Sequence, residues 1–292
     1  MRSDDRQRGP RKLTRREAIG AGLAVTAAGA LGFGRRLDAA LSPDSYGPFK
    51  MALQSYSLRG LTTDGKADVR KALNASKELG VPYWEAYSAH FAADPSKAVE
   101  FKKLAADHGV TVIGYGVSGF GKNHDANRKL FEFARAMGLE YLSADPSVDA
   151  FDSLDKLVEE YGVAIGIHNH GPGHKWAKID TIAAAIKDHS PKIGCCVDTG
   201  HFLRSDEDPV RAVEVFGKRT FGVHLKDVKD ATEFTVLGRG DLRTADLLKA
   251  LAKIHYGYAL ALEYEEHPDD PIAEIRECLA ATRKAVEGLP GS

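Results

Sequence analysis

From Phe49 onward, short runs rich in β-branched and aromatic residues alternate with longer stretches in which apolar residues recur every three to four positions. The short runs predict strands over 49–56, 82–87, 110–117, 139–144, 163–168, 193–198, 220–226 and 258–264. The longer stretches predict helices, among them 66–79, 97–108, 125–137, 152–161, 208–216 and 242–254, with 272–286 after the last strand. Gly80, Gly109, Gly138 and Gly162 stand where helical stretches stop, and each is followed within a residue or two by the next strand. Strands alternating with helices call for a parallel sheet with crossovers. Eight such units in a chain of this size predict one α/β domain, a single (β/α)8 TIM barrel spanning residues 41–292. An open doubly wound sheet is the alternative, but no G-x-G-x-x-G follows the first strand.

Residues 1–40 do not share this pattern. A charged stretch containing Thr14-Arg15-Arg16 precedes an uncharged run from Ala18 to Gly34, and Arg35 and Arg36 close it. These are the basic and apolar regions of an export signal, with the arginine pair in the twin-arginine position. The run is 17 residues and rich in Gly and Ala, a poor membrane span. A weak anchor or a basic arm is the alternative. The expectation is a protein exported to the periplasm, with cleavage near Ala39 or Ala40 and no membrane span in the mature body.

Charge adds to this. The signal region holds nine basic and four acidic residues of the chain's 40 and 41, so the remainder carries 31 basic against 37 acidic. An acidic body of that kind excludes broad nucleic-acid binding, which needs a basic footprint. Cys195, Cys196 and Cys278 cannot build a disulfide framework.

In a barrel of this class, chemistry sits at the C-terminal ends of the strands, so polar residues that end apolar strands are informative. Strand five ends in His168-Asn169-His170, and strand six in Asp198-Thr199-Gly200-His201. Strand seven carries His224-Leu225-Lys226-Asp227, and strand eight Glu263-Tyr264-Glu265. The separations 168→198, 198→224 and 224→263 are 30, 26 and 39 residues, each about one strand-helix unit. Four N and O donors from successive strands would converge on one mouth, a set suited to one divalent ion, Mn²⁺, Zn²⁺, Co²⁺ or Fe²⁺. A single strand-end His or Asp has an ordinary reading as a hydrogen-bonded core group or loop cap. His108, His189, His255 and His267 fall at helix ends or loops and read as solvated, while His124 and His174 lie near the mouth without an assigned role.

At these residues the chain resembles the sugar phosphate isomerase/epimerase superfamily, the xylose-isomerase-like TIM barrels, over about residues 50–285. The pieces that carry the likeness are Leu53-Gln54-Ser55-Tyr56-Ser57-Leu58-Arg59, His168-Asn169-His170, Asp198-Thr199-Gly200-His201, His224-Leu225-Lys226-Asp227 and Gly238-Arg239-Gly240-Asp241. The resemblance implies one catalytic metal held by His168, Asp198, His224 and Glu263. It implies that His201 contacts substrate or orients the ligands. His168 stands where ketose epimerases have Glu, so one of their two proton-shuttling carboxylates is absent. The His-Asn-His variant is similar to inosose-dehydratase-like and keto-sugar-processing members. A homo-oligomer is consistent with the resemblance, though no interface is legible in the chain.

A metal that chelates a carbonyl and its neighbouring hydroxyl acidifies the adjacent C–H, and a nearby base can then remove the proton. Glu263 is the expected base. His170 is either a second acid/base or the partner that fixes His168. Lys226 would hydrogen-bond a developing oxyanion, or form an ion pair. For a carbohydrate substrate, Glu85 would bind a hydroxyl, or make a structural ion pair. Trp84, Tyr56, Phe120 and Trp176 would wall the ring, and Arg239 would reach an anionic group. The leading expectation is a metal-dependent sugar isomerase or epimerase. The alternatives are a metal-dependent dehydratase or lyase on a keto-inositol or 3-keto-glycoside, and a non-catalytic exported sugar-binding barrel.

Overall fold

The computed structural model of the chain describes residues 46–289; the expected export signal and its cleavage site lie outside the described residues. Eight parallel strands close into a barrel in sequence order: β1 Lys50–Gln54, β2 Tyr83–Ala86, β3 Thr111–Phe120, β4 Tyr141–Pro146, β5 Ala164–His168, β6 Ile193–Asp198, β7 Thr220–Leu225 and β8 Ala259–Leu262, with β8 pairing back onto β1. Helices α1 Val69–Leu79, α2 Ala98–Asp107, α3 His124–Met137 and α4 Phe151–Tyr161 follow the first four strands. Then come α5 Ile179–Ile186, α6 Thr199–Arg204, α7 Pro209–Phe216, α8 Thr244–Lys253 and α9 Ile272–Glu287. Among the described residues, no helix is long and apolar enough to cross a membrane.

The expected elements are present, with two differences of substance. Residues 66–67 belong to a short hairpin, not to the first helix, because Asp68 caps α1 by accepting from the backbone N–H of Arg70 and Lys71. The six-residue α6 was not expected; Asp198 starts it by accepting the His201 N–H. The helices otherwise stop where the glycines stand, as at Gly138, whose φ of 73° ends α3 in the left-handed conformation.

Alternation along the strands divides the molecule into two apolar layers. Leu53, Trp84, Leu142, Ile165, Ile167, Val197, Val223, Leu225, Leu260 and Leu262 point outward and pack under the helices. Inside the barrel, the floor is small and aromatic: Ala52, Ile113, Tyr141, Ala164, Phe221, Ala259 and Ala261. Above this floor Gln54, Glu85, Ser143, His168, Asp198, His224 and Glu263 point inward, with an irregularity in β7 between Thr220 and Val223 shifting its parity, so polar residues emerge at the C-terminal mouth.

This parity corrects the expectation for Trp84. Trp84 and Glu85 are adjacent on β2 and cannot both face the mouth. Trp84 turns outward, fully buried, and its indole N–H donates to Ser76 Oγ of α1 at 2.9 Å. Phe120 and Trp176 are also packed away from the mouth: Phe120 against Phe131, and Trp176 against Phe151 with its indole N–H on the Pro146 carbonyl.

Candidate active site

His168 ends β5, Asp198 ends β6, His224 lies in β7, and Glu263 follows β8 directly. One donor atom from each lies within 4.8 Å of the others, and all four side chains are buried. His168 Nε2 is 3.0 Å from His224 Nδ1 and 3.2 Å from Asp198 Oδ2, and His224 Nδ1 is 2.9 Å from Glu263 Oε2. Asp198 divides its work. Its Oδ1 accepts the His201 N–H at 2.8 Å as the cap of α6, which leaves Oδ2 for the cluster. Asn169 holds the strand end in place, accepting from Asp198 N and donating to Asp198 O.

The donor set fits a divalent ion. Asp198 Oδ2 and Glu263 Oε2 are buried and accept no aligned hydrogen bond, although charged groups stand close to both. Two ring nitrogens 3.0 Å apart, each beside a carboxylate oxygen, are arranged as they would be around a common cation. Two imidazoles and two carboxylates are ligands for a borderline transition ion.

Glu85 was expected to bind a substrate hydroxyl, but it lies fully buried beneath the cluster. Gln54 Nε2 donates to it at 2.9 Å, as do the hydroxyls of Tyr141 and Ser143, and its Oε1 faces His224 Nε2 at 2.9 Å. A carboxylate on Nε2 keeps the proton there and leaves the Nδ1 lone pair for the cluster, the outer partner that metal-bound histidines usually have. Burial opposes ionisation of Glu85, but His224 and the hydroxyl donors outweigh it and hold the carboxyl below its ordinary value. His168 lacks such support: its Nδ1 has no hydrogen-bond partner, and the His170 ring meets it edge-on at 4.6 Å without bonding to it.

Lys226 is buried with its Nζ 3.0 Å from both Asp198 Oδ2 and Glu263 Oε2, and it donates to Glu265. Burial lowers its proton affinity, yet the three carboxylates more than restore it and keep it charged. Glu263 is its counterpart: burial raises the carboxyl, while Lys226 and His224 pull it well below the usual range. Both alternatives foreseen for Lys226 remain geometrically open, but the ion pairs are what the structure displays.

Above the cluster opens a cleft of about 260 Å³ lined by Gln54, Tyr56, Tyr87, Val117, His170, His201 and Glu265, with His168, Lys226 and Glu263 at its base. That is below the roughly 300–1,000 Å³ of clefts for drug-sized ligands, so the space suits a single small ring. Tyr56 therefore stands where a wall was expected, edge-on to Tyr87 at 5.0 Å, with the Arg59 guanidinium stacked behind it. His170 is held neutral, pushed down to about 3 by burial and by neighbouring histidines. His201 is pushed down to about 4, chiefly by burial.

Arg239 is exposed on the surface and pairs with Glu277, away from the cleft. The reason is Asp227, whose buried carboxylate accepts four backbone N–H groups, from Val228, Gly238, Gly240 and Leu242 at 2.8–3.0 Å. A Cβ on Gly240 would stand 2.4 Å from Asp227 Oδ1, so only glycine lets the loop close on this carboxylate. The Gly238-Arg239-Gly240 motif is thus a structural clasp. His174 accepts the Trp176 N–H at Nδ1 and turns Nε2 toward Asp145, bracing the loop after β5. His124 bonds Ser153 and Arg128 at the start of α3, apart from the cleft.

Tyr87, Glu265 and Val117 join the cleft without having been singled out. Tyr87 and Glu265 do lie just beyond strand ends, the position that could have marked them. Val117 lies within β3, and no comparable signal points to it.

A family model described as xylose isomerase-like TIM barrel matches residues 73–285. The chain is 28% identical over 163 residues to an inosose dehydratase of Clostridium beijerinckii, covering 49% of this chain and 53% of that protein. It is 24% identical over 212 residues to the rhizopine catabolism protein MocC of Rhizobium meliloti, covering 66% and 64%. The matched region thus spans about half to two-thirds of these curated relatives. An uncharacterised protein of Parabacteroides distasonis superposes with a TM-score of 0.63 at 27% identity, over 81% of this chain and 99% of that one. A D-tagatose 3-epimerase-like protein superposes at 0.65 and 17% identity, over 82% and 98%, a likeness of fold.

Proposed function

The chain belongs to the xylose isomerase-like TIM barrel family, and on that premise we propose that it is a metal-assisted enzyme removing the proton next to the carbonyl of a small keto-polyol, followed by loss of a β-oxygen substituent. The observation that carries this reading is the buried His168, Asp198, His224 and Glu263 set at the base of a cleft sized for one ring. These four residues would hold the ion. When bound, it would polarise the substrate carbonyl and acidify the neighbouring C–H.

The rest follows from the chain's own residues. Glu85 keeps the His224 proton on Nε2, and Lys226 offsets part of the negative charge of Asp198, Glu263 and Glu265. Tyr56 and Tyr87 supply an apolar wall for the ring. His170 faces the cleft, neutral, with no hydrogen bond to its ring nitrogens among the described residues. It is the group placed to carry the carbon-bound proton to the departing hydroxyl, which leaves as water; because burial makes it a weak base, the acidification of the C–H that a bound ion would supply has to drive the first transfer. Relatives named inosose dehydratase are consistent with elimination. The second reading is isomerisation or epimerisation, with Glu263 as base. It draws on Glu263 and Glu265 facing the cleft from after β8, opposite His170 and His201. On sequence grounds, the N-terminal segment would deliver the enzyme to the periplasm.

The test is incubation of the full chain, loaded in turn with Mn²⁺, Co²⁺ or Zn²⁺, with keto-inositols and keto-sugars in D₂O. Metal-dependent loss of water, absent in Glu263→Ala and His224→Ala, supports elimination. Deuterium uptake with an unchanged formula selects the second reading. A chain that takes up no divalent ion would sink both.

A further inference from the structure

Arg204, the last residue of α6, is half-buried beside His201, one of the residues that line the cleft. Its Nη1 is 3.4 Å from His201 Nδ1, and its Cζ stands 5.0 Å over the Phe234 ring. On another side it lies against the backbone of Gly171, where a Cβ would meet Nη1 at 3.4 Å. The guanidinium is therefore packed between an aromatic ring and a glycine, beside a histidine that lines the cleft. Among the described residues, no carboxylate lies within ion-pair distance of it, whereas Arg128, Arg211, Arg239 and Arg243 on the surface each hold one.

Its neighbours offer no negative charge either. His201 and His170 are imidazoles with no negative charge to give, and the nearby carboxylates Asp198, Glu263 and Glu265 close on Lys226. A stacked guanidinium loses less freedom on binding than a flexible lysine would, and its planar donors match a carboxylate or phosphate with two parallel hydrogen bonds.

We infer that Arg204 forms an anion-binding subsite, and that the substrate is a small polyol bearing a terminal oxyanion that extends past His201. A sugar acid and a sugar phosphate share this chemistry. The inference rests on the reading of the cleft as a keto-polyol site, and it adds the charge of the substrate to that reading.

The experiment is calorimetric titration of the full chain, stripped of metal and held at fixed ionic strength, with D-glucose, D-glucuronate and D-glucose 6-phosphate. Wild type, Arg204→Met and Arg204→Lys are compared, and thermal melting confirms that each variant is folded. At least one anionic sugar should bind tenfold or more tightly than glucose. That preference should fall to near unity in Arg204→Met and survive in part in Arg204→Lys. Preference for glucuronate alone identifies a sugar acid, and preference for the phosphate alone a sugar phosphate. Equal affinities in wild type, including equal absence of binding, overturn the subsite, as does a preference undiminished in Arg204→Met. A parallel Mn²⁺ titration separates the two claims: Mn²⁺ binding without anion preference refutes only the subsite, and anion preference without Mn²⁺ binding refutes only the metal reading.

Discussion

Replacing Glu85 with Gln is the sharpest probe of the site, because it changes one charge and little volume at a position no substrate can touch. Glu85 is fully buried, and its Oε1 stands 2.9 Å from His224 Nε2. Without a metal, the surrounding acidic groups overcome burial and hold His224 protonated, and at an effective dielectric of about 20 opposite unit charges at that distance attract by roughly 6 kcal/mol. Desolvation of both groups cancels most of this, leaving about 1.5–3 kcal/mol for a hydrogen bond involving a charged group. The glutamine can keep its carbonyl toward Gln54, Ser143 and His224, so the network loses charge more than contacts. Metal-free Glu85→Gln should therefore be destabilised by about 2 kcal/mol, lowering Tm by roughly 4–8 °C in a chain of this size. Its affinity for Mn²⁺ should fall about 10–100-fold, the usual effect of removing the outer partner of a ligating histidine. Calorimetric Mn²⁺ titration of the chelator-treated chain reads the second quantity directly. An unchanged Mn²⁺ affinity in a folded Glu85→Gln protein would refute the claim that Glu85 orients His224.

Two further predictions concern the scaffold. His90 is buried against Trp84, with Nδ1 on Ser55 Oγ and Nε2 without a partner, and burial pushes it down to about 4. Its folded value lies below its unfolded one, so the unfolded chain takes the proton first and stability falls as pH drops from 6.5 to 4. The share from this residue is on the order of 3 kcal/mol. Urea unfolding across that range should show a shallower decline in His90→Gln, and identical slopes in the two proteins would contradict this. Asp227→Asn leaves part of the four-N–H clasp facing an amide instead of a carboxylate, at a cost of about 3 kcal/mol. Limited proteolysis should then cut within residues 236–243, while Mn²⁺ affinity stays near that of the parent; an uncut loop would refute the clasp.

Much of this protein was legible in the chain. Strand and helix periodicities are local properties, and closing eight parallel strands brings their C-terminal ends to one mouth. Residues as far apart as His168 and Glu263 could therefore be assigned to one site before any contact was known. The direction of a side chain across the barrel was not legible in the same way. Nothing near Trp84 and Glu85 in sequence says which of the two faces inward, and nothing near Glu85 names His224, 139 positions away, as its partner. Lys226 reads as a strand-end cation, but only closure sets it among three carboxylates. Arg204 reads as an ordinary helix-end arginine, and Arg239 as a loop group able to reach an anion. The fold reverses these two, because the Asp227 clasp holds Arg239 over Glu277 on the surface, while Phe234, in a short antiparallel hairpin of Asp227–Lys229 with Glu233–Thr235, stacks on Arg204 beside His201. Pattern along the chain determined the elements and the row of donors at their ends. Strand register and loop anchoring, which depend on contacts between residues distant in sequence, decided which buried charges meet and which arginine stands beside His201.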